Sequence, residues 1–140
     1  MTSTSSLRHA RGDFSVEVTP QATDNPSAKG AGLSRLSLEK RFTGDLDASG
    51  QGEMLGAGDG MTAGGYVALE RITGTLSGRS GSFAMIHRAI MAGGIPREWT
   101  IDVVPESGTE ELRGLSGSMK ITAEGGRHSY DFAYTLAETA

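Results

Sequence analysis

The feature that most constrains this chain is a side-chain alternation of period two, recurring in short runs from Asp13 onward and interrupted each time by glycine. Successive side chains of a strand point to opposite faces, so such runs sort their residues into an inner and an outer set. In "DFSVEVT" (13 to 19), Phe14, Val16 and Val18 share a face. In "LSRLSLEKRF" (33 to 42), Leu36, Leu38, Lys40 and Phe42 oppose Arg35, Ser37, Glu39 and Arg41. Further strands are expected at about 44 to 55, 66 to 76, 82 to 91, 97 to 104, 115 to 123 and 128 to 136. "QATDNPSAKGAG" reads as a polar loop, and "GAGDGMTAGG" (56 to 65) as a mobile, glycine-rich rim loop or lid. No segment places apolar residues at helical spacing, so little helix is expected. Eight antiparallel strands in one small domain lose their exposed edges by closing on themselves. The expected fold is therefore an all-β, eight-stranded antiparallel barrel, wide enough to be packed solid or to hold one small ligand in a central cavity.

A length of 140 residues fits one domain. The first 12 residues are expected to be a disordered tail and 13 to 137 the barrel. The absence of cysteine excludes disulfides and thiolate chemistry and points to a reducing, cytoplasmic setting. Net charge is -4 with both signs intermixed, so there is no basic stripe for nucleic acid. No apolar run has the length of a signal peptide core or a membrane span, and no membrane partner is expected. "GRSGS" lacks the second glycine and the strand-to-helix context of a nucleophile elbow. "GAGDGMTAGG" has no Gly-Lys-Ser/Thr and no helix after it, so it is not a phosphate loop. No cofactor is expected.

"ERITGTLSGRSGSFAMIH" (70 to 87) reads as two strands about a glycine turn. A four-residue loop over 77 to 80 sets Glu70 opposite His87, Ile72 opposite Met85, Gly74 opposite Phe83 and Tyr66 opposite Met91. That face is largely apolar, although Val67, Leu69, Ile86 and Ile90 on the other face weaken the contrast. A carboxyl among such residues is pushed up by desolvation and pulled down by an imidazolium beside it. Glu70 and His87 are thus either a mutually satisfied internal pair or an acid-base pair. Lys40 lies on the apolar face of its strand; a turn centred on Asp47 and Ala48 would bring Glu53 opposite Phe42 and diagonal to Lys40. A facial metal site from Glu70, His87 and His128 is the weaker reading, and no metal is expected. The last strand aligns His128, Tyr130, Phe132 and Tyr134. Candidate ligand-lining residues are Tyr66, Ile72, Phe83, Met85, Met91, Trp99, Met119, Tyr134, Lys40 and Glu53.

"KRFTGDLDASGQGEML", "GYVALERITGTLSGRSGSF", "VVPESGTEELRGLSGSMKI" and "GRHSYDFAYTL" resemble the bacterial domain-of-unknown-function 3224 family, grouped with allene oxide cyclase-like barrels. The resemblance spans roughly residues 12 to 137 and implies a barrel with a central cavity and association of subunits into a homo-oligomer. Arg88, Ile90 and Trp99 depart from the pattern of that family. Distant barrels of this type include enzymes that cyclise or isomerise reactive small molecules. Two functions are expected on this basis. One is a cofactor-independent isomerase or cyclase for an apolar metabolite carrying a carbonyl or epoxide, with Glu70 and His87 as catalytic residues. The other is a non-catalytic carrier or sensor of a hydrophobic small molecule.

Overall fold

The computed structural model describes residues 6–59 and 62–137. Eight strands follow one another around a closed barrel: β1 (Arg8–Gln21), β2 (Leu33–Gly44), β3 (Leu46–Gly58), β4 (Ala63–Leu76), β5 (Arg79–Ala92), β6 (Ile95–Val103), β7 (Ser116–Glu124) and β8 (Arg127–Thr135). Every neighbouring pair is antiparallel, and β1 closes the barrel against β8 from Arg8↔Tyr134 to Phe14↔His128. Among the described residues, helix is confined to a turn at Pro26–Lys29, capped by the Asn25 side chain, and a 3-10 turn at Glu110–Leu112. Among the described residues no helix is long and apolar enough to cross a membrane.

β1 begins at Arg8, inside the stretch expected to be a tail, because pairing with β8 buries Ala10 completely. Most of the expected glycine-rich loop is also strand: β3 and β4 pair as far as Gly58↔Gly64. The Asp59 carboxylate accepts from the backbone N–H groups of Thr62 and Ala63 and closes that connection.

Two hairpins are tighter than expected. The β4–β5 turn is the two-residue Ser77-Gly78, both at positive φ (47° and 86°), the mirror-image turn that matches strand twist. Its register pairs Glu70 with Met85 and Ala68 with His87 in place of Glu70 with His87. The shift is two residues, so every side chain keeps its face. In the β2–β3 hairpin Phe42 pairs with Ala48, not Glu53. That shift is odd and reverses faces, placing Glu53 outside against Ser37 and Met54 inside. The Tyr130 hydroxyl fixes this turn by donating to the Thr43 carbonyl and accepting from the Leu46 N–H.

The two ends of the lumen differ. Phe83, Phe132, Leu46, Ile72, Leu76 and Met85 fill the end that carries the tight hairpins, and Leu112 from the 3-10 turn stoppers it. Burial of one such side chain stabilises by roughly 1.5 to 3 kcal/mol. The opposite end is hollow. One seam of the wall is also thin: β6 and β7 pair only at Asp102↔Ser118, whereas β4 and β5 pair over fourteen positions. Backbone amides of β6 and β7 that point into this seam are expected to exchange with deuterium before those joining β3, β4 and β5, as read by residue-resolved hydrogen exchange.

Candidate functional site

Where the lumen is hollow, its wall carries a cluster of ionisable groups. Lys40 of β2, Glu70 of β4 and His87 of β5 are all inward by strand alternation, with side chains 7%, 1% and 4% exposed. Lys40 Nζ and His87 Nε2 each lie 3.0 Å from the same oxygen, Glu70 Oε2. Glu70 and His87 meet although they are not directly opposite, because diagonal neighbours on one face of a sheet remain within reach of long side chains. Neither contact has the direction of a good hydrogen bond, and among the described residues none donates to Glu70 Oε1. Oε1 rests over Gly50 of β3, where a Cβ would come within 2.3 Å of it. The Lys40 ammonium also sits 5.4 Å and 5.9 Å from the ring centres of Phe14 and Phe42, a cation–π arrangement on its apolar sides.

Burial pushes the Glu70 carboxyl up, but the His87 contact and the Lys40 charge outweigh it and hold the group below the ordinary glutamate range. Glu70 is therefore a carboxylate at neutral pH. Its contact with His87 Nε2 leaves Nδ1 as the ring nitrogen not engaged with it.

A chamber of about 220 Å³ opens above this cluster. Lys40, His87, Tyr66, Trp99 and His128 are on its wall with Phe14, Leu38, Met54 and Ile121; Glu70 is not, and stands behind Lys40 and His87. Thr122 is outward by alternation, yet it too borders the chamber, which consequently reaches the thin β6–β7 seam. Tyr66, Trp99 and Met54 form a neck shared with an outer vestibule of about 490 Å³, lined further by Leu36, Ala89 and Met91. Burial raises the Tyr66 phenol above its ordinary value, a hydrogen bond from Trp99 works against this, and the Glu70 charge adds to the rise.

The expected residues thus divide. Lys40, Tyr66, His87 and Trp99 converge on the chamber, Glu70 backs it and Met91 lies in the vestibule. Ile72, Phe83, Met85 and Met119 belong to the packed core, as does Tyr134, whose hydroxyl meets Ser77 near the closed end. Glu53 is the correction: it is outside, 62% exposed and paired with Arg35. Phe14, Leu38 and Met54 line the chamber as well: Leu38 shares Lys40's face in the alternation of β2, Phe14 lies on the apolar face of β1, and Met54 follows once the β2–β3 register is right. Among the described residues no cluster of three or more metal-ligating side chains occurs.

Comparison with known proteins agrees on the architecture. The profile of a family described as "Protein of unknown function (DUF3224)" matches residues 10–134. A crystal structure of a protein with unknown function from that family, from Shewanella oneidensis MR-1, is 39% identical, superposes with a TM-score of 0.84, and is covered over 95% of this chain and 100% of its own. No curated protein matches.

Removing one member of a buried charge pair leaves the other uncompensated. Lys40→Met is expected to destabilise the protein by about 3 to 5 kcal/mol in urea unfolding, and the double change Lys40→Met with Glu70→Gln to recover part of that loss. A depressed folded pKa makes the Glu70 contribution complete above the ordinary value of 4.5 and lost as the pH falls through the folded value. The difference in unfolding midpoint between wild type and Glu70→Gln is accordingly expected to narrow on acidification below 4.5.

Proposed function

This chain belongs to the DUF3224 family, a membership that speaks for the barrel and not for any reaction, and we propose from the lumen itself that it binds an apolar small molecule and isomerises or cyclises it without a cofactor. The observation carrying this reading is the division of labour in the cluster: two basic groups on the chamber wall, with an ionised carboxylate held behind them. A carboxylate 3.0 Å from one imidazole nitrogen favours a proton on that nitrogen by its charge and leaves the other nitrogen able to take one. His87 is then the proton-transfer group and Glu70 its positioning residue, a change from the expectation that Glu70 itself acts on the substrate. His87 takes a proton from carbon next to a carbonyl, the electron pair moves onto the oxygen, and return of the proton at another carbon completes the isomerisation. Tyr66 is placed at the neck to donate to the carbonyl or epoxide oxygen, and Lys40 fixes the polar end. The chamber alone is smaller than typical ligand sites of about 300 to 1,000 Å³. With the vestibule it reaches that range, so the guest's body extends past Trp99.

A non-catalytic carrier is the second reading, favoured by the way Lys40 and Glu70 compensate one another as a static anchor. The two separate by experiment. Native mass spectrometry of freshly purified protein identifies a retained guest, which is then incubated with the protein in heavy water. An isomerase is expected to return a product of altered retention time carrying one deuterium, with His87→Gln slowing turnover about 10²- to 10⁴-fold while binding persists. Recovery of the guest unchanged and unlabelled favours the carrier and removes the reaction.

A further inference from the structure

One ionisable group on the chamber wall has no part in the chemistry above. His128 of β8 borders the same chamber but stands apart from the Glu70 cluster, its ring 5.3 Å from that of Phe14. Phe14 is also the ring on which Lys40 Nζ rests at 5.4 Å. The three come from adjacent strands β8, β1 and β2, so Lys40 and His128 flank Phe14 on one side of the lumen, while His87 projects from β5. Among the described residues, the polar side chains on the chamber wall are lysine, histidine, tyrosine, tryptophan and threonine, and no carboxylate lines it, since Glu70 stands behind. A wall dominated by donors calls for a guest that supplies acceptors.

We propose that the Lys40–His128 side of the chamber is a carboxylate site, so that the guest is an organic acid with an apolar body, and that His128 takes up a proton when the acid binds. This rests on the reading of the lumen as a ligand chamber and names the class of its occupant. Charge balance supplies the second half of the argument. Lys40 is already neutralised by Glu70, so a bound carboxylate brings a net negative charge into a poorly hydrated space, which is costly unless a proton comes with it. The titratable groups facing His128 across the chamber are Lys40 on β2, Tyr66 and, behind the wall, Glu70 on β4, and His87 on β5. The inward neighbours Phe14 and Val16 on β1 and Ile121 on β7 carry no charge, and on the outer face Asp13 is paired with Arg127. His87 already shares the Glu70 oxygen, which leaves His128 as the group free of that cluster.

The test uses 4-phenylbutyrate and its neutral analogue 4-phenylbutyramide, titrated calorimetrically into the full chain in buffers of different ionisation enthalpy, with Trp99 fluorescence as an independent signal of occupancy. The acid is expected to bind about tenfold or more tightly than the amide near pH 6. Its affinity is expected to fall by up to about tenfold per pH unit as the pH rises, with uptake approaching one proton. His128→Gln is expected to abolish the uptake and most of the preference for acid. Glu70→Gln removes the competing carboxylate beside Lys40 and is expected to raise the preference for acid over amide; a purely structural effect moves both ligands alike and leaves that ratio where it was. Equal, pH-independent binding of acid and amide overturns the carboxylate site and leaves the ligand chamber standing. If neither compound gives heat or a change in Trp99 fluorescence, the chamber reading falls and the carboxylate site with it.

Discussion

Two basic side chains share one carboxylate oxygen inside a β-barrel, and most of what distinguishes this protein follows from accommodating that arrangement. Taking Glu70 and Lys40 out of water is expensive, and their mutual attraction offsets the cost only at close range. The 3.0 Å contacts therefore fix the relative heights of β2, β4 and β5 at this level of the lumen. A hydrophobic trio of similar volume could occupy the same space and would be at least as stabilising by general experience with buried ion pairs. In this protein the charged version occurs together with a Glu70 oxygen that has no donor among the described residues and with an adjoining cavity.

The asymmetry of the barrel gives that cluster its setting. Below it the lumen is solid with Phe83, Phe132, Leu76 and the Leu112 stopper, so the charged groups have no water beneath them. Above it the walls part at the β6–β7 seam and narrow again at Tyr66 and Trp99. A group at the floor of such a cup faces a chamber on one side and a dry, rigid core on the other. That geometry supports the electrostatic behaviour assigned to Glu70, whose charge is preserved by neighbours and not by solvent.

The faces of the strands were legible in the sequence because alternation survives almost any change that moves a register by an even number. Glu70 and His87 illustrate this: the observed register differs from the expected one by two residues, the two are not directly opposite, and the side chains still meet. Glu53 illustrates the opposite case, since an odd shift in the β2–β3 register exchanged it with Met54. What fixes that turn is Tyr130, 84 residues from Leu46, and no local pattern announces a hydrogen bond of that span. The location of the cavity was hidden for a similar reason. Which half of the lumen is filled depends on Leu112, carried by a 3-10 turn in a connection that has no strand pattern of its own.

The floor of the cup also depends on what one strand lacks. Inward positions of β3 run Ala48, Gly50, Gly52 and Met54, and a Cβ at Gly50 or Gly52 would come within 2.3 Å of the Glu70 carboxylate or of the Leu69 carbonyl. β3 is thus a bare wall against which an acidic side chain can lie flat. Ordinary mutation at either position adds bulk, since every other residue is larger, and the first atom added already evicts the acid or parts the strands. Any reshaping of this chamber has to be written on the remaining staves, with the stretch from Gly50 to Gly52 held blank.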